Sequence, residues 1–116
     1  MNGDHVPEIL HITTRQEWQH ALEAGAYTAD TLFTEGFIHC SLPGQVVDVA
    51  NARFRGNRGL ILLCIDPDAV EADVRYEGET ERYPHIYGPL NLDAVTRIID
   101  FPPDPDGRFT LPDGVR

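Results

Sequence analysis

Six consecutive apolar residues, Leu60-Ile61-Leu62-Leu63-Cys64-Ile65, constrain this chain more than any other stretch. The run falls far short of the roughly 18 residues needed to cross a bilayer. It has the length of a buried strand, so Gly59 to Ile65 is predicted to be the central strand of a sheet. With 116 residues, the chain is expected to form one compact domain with one core. That domain would span residues 1–116, with its core at about 8–101 and a tail rich in Pro, Asp and Gly at 102–116.

Around the central run, strands and helices alternate. Glu8 to Ile12 reads as a short strand. Thr14-Arg15-Gln16-Glu17 is a capping-box pattern that opens a helix carrying Trp18, Ala21 and Leu22 inward, and Gly25 stops it. Trp18 at this spacing predicts core packing rather than a stacking platform for a base. Phe37 to Cys40 reads as a strand. Ser41 is placed as the N-cap, and Pro43 in the first turn, of a second helix that buries Val46, Val47, Ala50 and Phe54 and ends at Gly56. Val74 to Glu77, Pro84 to Gly88 and Val95 to Phe101 are predicted extended, and the segment after Pro102 a loop or weak hairpin.

Composition narrows the function classes. Nine basic against nineteen acidic residues give a formal net charge of −10. Affinity for a phosphate backbone comes mostly from Lys and Arg, so no long nucleic acid is expected as a partner. The start, MNGDHVPE, has neither the basic nor the apolar region of a secretory signal. Two cysteines in such a chain predict reduced thiols and a cytoplasmic protein without a membrane partner.

The stretch Glu35-Gly36-Phe37-Ile38-His39-Cys40-Ser41 places His, Cys and Ser side by side. Along a strand, side chains alternate, so Phe37, His39 and Ser41 share one face while Ile38 and Cys40 share the other. Cys40 is therefore expected in the core as an inert hydrophobe, and Cys64 likewise. No C-x-x-C or H-x-x-x-H pair occurs, so no metal site is expected. Three histidines are followed two residues later by a hydroxyl: His11 by Thr13, His39 by Ser41, His85 by Tyr87. If their strands are neighbours, three imidazoles and three hydroxyls line one cleft and can bond hydroxyls, amides or phosphates. Taken singly, each is better read as a half-buried histidine satisfied by a backbone carbonyl. His5 and His20 lack the pattern and are expected on the surface.

The blocks Leu10-His11-Ile12-Thr13, Glu35 to Ser41, Gly59 to Leu63 with Asp66-Pro67, and Tyr83 to Leu92 resemble the DUF952 family from about Glu8 to Phe101. The family has no established activity. Its fold is grouped with the ADP-ribosyltransferase-like proteins, which implies an α+β domain with a split mixed or antiparallel sheet, two main helices and an NAD-binding cleft. The resemblance implies that His11 holds the distal ribose of NAD, with His39 and Ser41 beside the nicotinamide. His85 stands where a catalytic glutamate is common in that fold, and Glu77 is a second source of a carboxylate. Thr13 and Tyr87 join the cofactor-binding set. Arg53, Arg55, Arg58, Arg75 and Arg82 are candidates for a pyrophosphate clamp.

Three readings follow. The chain is an ADP-ribosyltransferase-like enzyme acting on NAD or a related nucleotide with a small acceptor, a non-catalytic nucleotide- or ligand-binding module, or a histidine-based hydrolase or isomerase of small molecules. His11, His39 and His85 are expected to converge on one pocket whichever reading holds, with His39 at its reacting end and His11 holding the distal part of the ligand.

Overall fold

The computed structural model describes residues 7–115. In chain order its elements are β1 (Ile9–Thr14), α1 (Arg15–Ala24), β2 (Ala26–Tyr27), α2 (Asp30–Thr34), β3 (Ile38–His39), α3 (Val46–Arg53), β4 (Leu60–Ile65), β5 (Asp73–Glu77), β6 (Tyr83–Tyr87), β7 (Leu90–Asn91) and β8 (Val95–Asp100). Single 3₁₀ turns cover Pro67–Ala69 and Leu92–Ala94.

The apolar run is β4, and it lies between β1 and β8 with every residue buried. Alternation sends Ile61, Leu63 and Ile65 into a cluster with Trp18, Tyr27, Ile38 and Ile86. Leu60, Leu62 and Cys64 point the other way, into a cluster with Val46, Ala50, Phe101 and Phe109. The expected single core is thus two, one on each face of the same strand, which is why the run contains no polar residue.

A second sheet, in the order β3-β6-β5, meets the first through one residue pair. Leu10 N–H donates to the Ser41 carbonyl at 2.8 Å, and Ser41 N–H to the Leu10 carbonyl at 2.7 Å. Beyond that pair β1 and β3 part, and the sheet is split. All strand pairings are antiparallel, including the small β2–β7 pair, so the mixed alternative is excluded among the described residues.

The helices follow the sequence signals with three differences. Thr14 caps α1 by accepting from Glu17 N–H at 3.0 Å, and Gly25 closes it in the left-handed region at φ 88°. Trp18 and Ala21 are buried as expected, but Leu22, at the margin of the stripe, is half exposed. α2 was not expected, for five residues are too few to carry a period. α3 starts at Val46, not Pro43. Ser41 is not its N-cap, because its backbone is committed to Leu10. Gln45 stands at the N-cap position without a side-chain cap bond and instead ties the preceding turn to the second sheet: its Oε1 accepts from Leu42 N–H at 2.9 Å, and its Nε2 donates to the Arg82 carbonyl at 2.7 Å.

The tail after Pro102 has no regular structure, yet it belongs to the core. Asn51 of α3 clamps the Phe109 backbone through both amide atoms, at 2.7 and 3.1 Å. The Phe109 ring thereby lies 4.8 Å from that of Phe101. No helix among the described residues is long and apolar enough to cross a membrane.

Removing a buried aromatic loses transfer energy and leaves a cavity. Trp18→Ala and Phe109→Ala are each expected to cost about 3–5 kcal/mol in urea unfolding. Leu111→Ala, in the same tail but substantially exposed, is expected to change stability by less than about 0.5 kcal/mol.

Candidate functional site

The split opens a cleft of about 1000 Å³. β1 forms one wall, and β3, β6 and the turn from Gly78 to Glu81 form the other. Asp48, Val49, Ala52 and Arg53 of α3 close one side. His11, His39 and His85 all border it, but they do not make one constellation.

His11 leaves β1 on the side of Ile9, toward the cluster containing Tyr27. Its Nδ1 lies 2.6 Å from the His39 carbonyl oxygen and its Nε2 2.7 Å from the Tyr27 hydroxyl. A carbonyl can only accept, so Nδ1 carries the hydrogen. Burial pulls the His11 pKa down to about 4, opposed by the bond to His39, and the ring is neutral at pH 7. Nε2 must then accept from Tyr27, and the Thr13 hydroxyl, 3.0 Å from the Tyr27 oxygen, donates in turn. Burial, the largest cause, raises Tyr27 to about 12, so its proton stays in place. Both His11 nitrogens are thus consumed inside the fold and have no bond to spare for a ribose, which corrects the expected ligand-holding role of His11, while the Thr13 hydroxyl keeps acceptor capacity beside the cleft.

His39 leaves β3 on the side opposite Ile38, away from that cluster, and finds His85 directly across on β6. Their ring centroids are 5.5 Å apart. Phe37 stacks on His85 at 4.0 Å and 18°. Each imidazole is held by a carboxylate: His39 Nε2 is 3.1 Å from Glu35 Oε1, and His85 Nδ1 is 3.1 Å from Glu77 Oε1. The Tyr87 hydroxyl also donates to Glu77. That bond first, and His85 second, hold the Glu77 carboxyl below its ordinary range, and the same contact raises Tyr87.

The arginines disperse. Arg75 lies on the His85 side of β5, its guanidinium 4.7 Å from the centre of the Tyr87 ring. Arg53 borders the cleft, whereas Arg55, Arg58 and Arg82 do not. Of the five candidates for a pyrophosphate clamp, Arg53 is thus the one on the cleft among the described residues, and the Arg82 carbonyl accepts from Gln45. Glu17, Asp30, Asp48, Glu77, Glu79 and Glu81 face that single Arg53 around the cleft, so acidic side chains outnumber basic ones along it. Ser41 borders the cleft but is buried in the Leu10 pairing. Cys40 and Cys64 are buried, and desolvation raises both thiols, Cys64 to about 11. No group of three or more His, Cys, Asp or Glu among the described residues is arranged to hold a metal ion. His20 is exposed as expected, and His5 lies outside the described residues.

Sequence reasoning missed Tyr27, Glu35 and Phe37 as site residues. Phe37 was reachable, since alternation already placed it on the face of His39. Tyr27 was not, because it reaches His11 from a two-residue strand with no pattern.

A split antiparallel sheet with imidazoles and carboxylates along its opening defines a small α+β protein with a ligand-sized cleft. Residues 12–98 match the model of the family described as "Protein of unknown function (DUF952)", and the chain belongs to that family. The crystal structure of protein CC0527 from Caulobacter crescentus is similar at 34% identity, over 90% of this chain and 94% of that one, with a TM-score of 0.82. The solution structure of the same protein is similar at 33% identity over 93% and 96%, with a TM-score of 0.80. No match is found among curated proteins.

Two outcomes follow from this geometry. Between pH 6.5 and about 4 the unfolded chain binds a proton at His11 that the folded chain refuses. Stability therefore falls as pH drops through that window, by about 3 kcal/mol from this residue alone. Urea unfolding of wild type and His11→Gln at pH 7 and pH 4 should show their difference shrinking by about that amount. Gly78 follows β5 at φ 154°, and a Cβ there would overlap the Glu81 carbonyl oxygen. Gly78→Ala is expected to cost about 1–3 kcal/mol and to shift the His85 ring resonances in NMR spectra, because the turn that carries Glu77 must rebuild.

Proposed function

We propose that the cleft binds NAD or a related nucleotide and that the protein is an ADP-ribosyltransferase-like enzyme with a small acceptor. The observation that carries this reading is Glu77, a carboxylate kept charged by Tyr87 and His85 beside a cleft in a split sheet. Loss of nicotinamide leaves an oxocarbenium-like ribose, and a fixed carboxylate stabilises such charge as it develops.

The remaining residues fit in part. A cleft of about 1000 Å³ can take a dinucleotide. The Phe37–His85 stack offers an aromatic surface beside Glu77, and the Thr31 hydroxyl, which borders the cleft, is buried without a hydrogen-bond partner. The pyrophosphate has only Arg53 on the rim. The acidic rim favours NAD, with one net negative charge, over a nucleoside triphosphate. His39, the more open of the paired imidazoles, is positioned to take a proton from an acceptor.

Calorimetric titration with NAD, paired with nicotinamide release, tests the reading. Glu77→Gln should lower release by about 100-fold or more with little change in affinity. Wild-type protein that neither binds NAD nor releases nicotinamide overturns it, and binding without release leaves a ligand-binding module.

A further inference from the structure

Strand register places Arg75, His85 and His39 in one transverse row across β5, β6 and β3: Arg75 pairs with His85, and His85 with His39. Paired residues in antiparallel strands project from the same face, so Arg75 stands in the row next to His85, its guanidinium 3.5 Å from Asp73 Oδ2 and over the Tyr87 ring. Glu35 takes Nε2 of His39 and Glu77 takes Nδ1 of His85. This leaves His39 Nδ1 and His85 Nε2 without a protein partner among the described residues. Phe37 contacts both rings, at 4.7 Å from His39 and 4.0 Å from His85, and so limits their rotation. Two imidazoles 5.5 Å apart, each presenting one defined nitrogen, are a general acid and a general base for a single tetrahedral centre held over the pair.

We propose that this row hydrolyses small cyclic phosphodiesters, nucleoside 2′,3′-cyclic phosphates being the class that fits. The Arg75 guanidinium, 4.7 Å from the Tyr87 ring centre, has fork geometry suited to two non-bridging phosphoryl oxygens. His39, the more exposed ring, removes a proton from water as the water oxygen bonds to phosphorus. The bond from phosphorus to the ring oxygen breaks, and His85 gives its proton to that oxygen. The product is a phosphomonoester with a free hydroxyl, and exchange with solvent returns the two imidazoles to their starting protonation. A cyclic diester carries one negative charge, which the acidic rim tolerates, whereas a long RNA is repelled. The inference does not depend on NAD binding.

Adenosine 2′,3′-cyclic phosphate incubated with the full chain and followed by ³¹P NMR is the test. Wild type should convert it to the monoester. His39→Gln and His85→Gln should each lower kcat by about 100-fold or more, and Arg75→Ala should raise KM about tenfold. Glu35→Gln, an exposed change that leaves the fold intact, should lower kcat about tenfold with KM unchanged. His20→Gln, on the surface of α1, should change nothing. No conversion by wild type, full activity in a folded histidine variant, or an unaltered kcat in Glu35→Gln each overturns the proposal. Conversion with neither NAD binding nor nicotinamide release refutes the NAD reading alone, and nicotinamide release without conversion refutes this one alone.

Discussion

Two hydrogen bonds between the backbones of Leu10 and Ser41 join the sheets of this protein and also limit their union. A continuous ladder between β1 and β3 would have satisfied the backbone of both strands and left no opening. With a single pair, the strands diverge at once and the groups beyond must find other partners. The His39 carbonyl, which a ladder would have used, accepts from the His11 ring instead. Cys40 N–H turns to the Pro84 carbonyl on β6. The cleft is thus a consequence of where pairing stops.

This explains why a histidine occupies the wedge. A neutral imidazole supplies one donor and one acceptor about 2 Å apart across a flat ring, enough to bridge a carbonyl on one sheet and a phenol on another element. An aliphatic residue would leave the His39 carbonyl unsatisfied, at roughly 1–3 kcal/mol, and the Tyr27 hydroxyl with Thr13 as its remaining partner. His11 therefore anchors the backbone of the residue whose side chain faces His85. The inner network holds the outer pair in position without touching it, which separates the stability of the cleft from whatever chemistry it performs.

Much of the architecture was legible because it rests on local rules. The apolar run β4, the Thr14 and Gly25 caps and the inward Trp18 need only period and capping chemistry, and all three appear where those rules place them. The inward direction of Cys40 came from strand alternation alone. The second core and the buried tail were not legible, for Phe109 looks like one aromatic among Asp, Pro and Gly until Asn51 is known to face it. At the site, alternation put Phe37 and His39 on one face, but it could not say that His11 lies on the other side of the split. That depends on the Leu10–Ser41 register, a long-range fact that no short window contains. The dispersal of the arginines was invisible for the same reason, since a charge in a loop carries no direction.

The amide clamp from Asn51 to Phe109 bears on how the chain folds as it is made. One face of β4 can be covered by residues of the first half of the chain, among them Trp18, Tyr27 and Ile38. The other face has Leu10, Val46, Ala50 and Phe54 from the first half of the chain but still waits for Phe101 and Phe109, the latter about 40 residues later. At 5–20 residues per second that is roughly 2–8 s during which Leu60, Leu62 and Cys64 lack the cover of Phe109. In that interval the nascent protein presents part of an apolar strand face to chaperones or to other nascent chains, and the arrival of Phe109, held by Asn51, completes its cover.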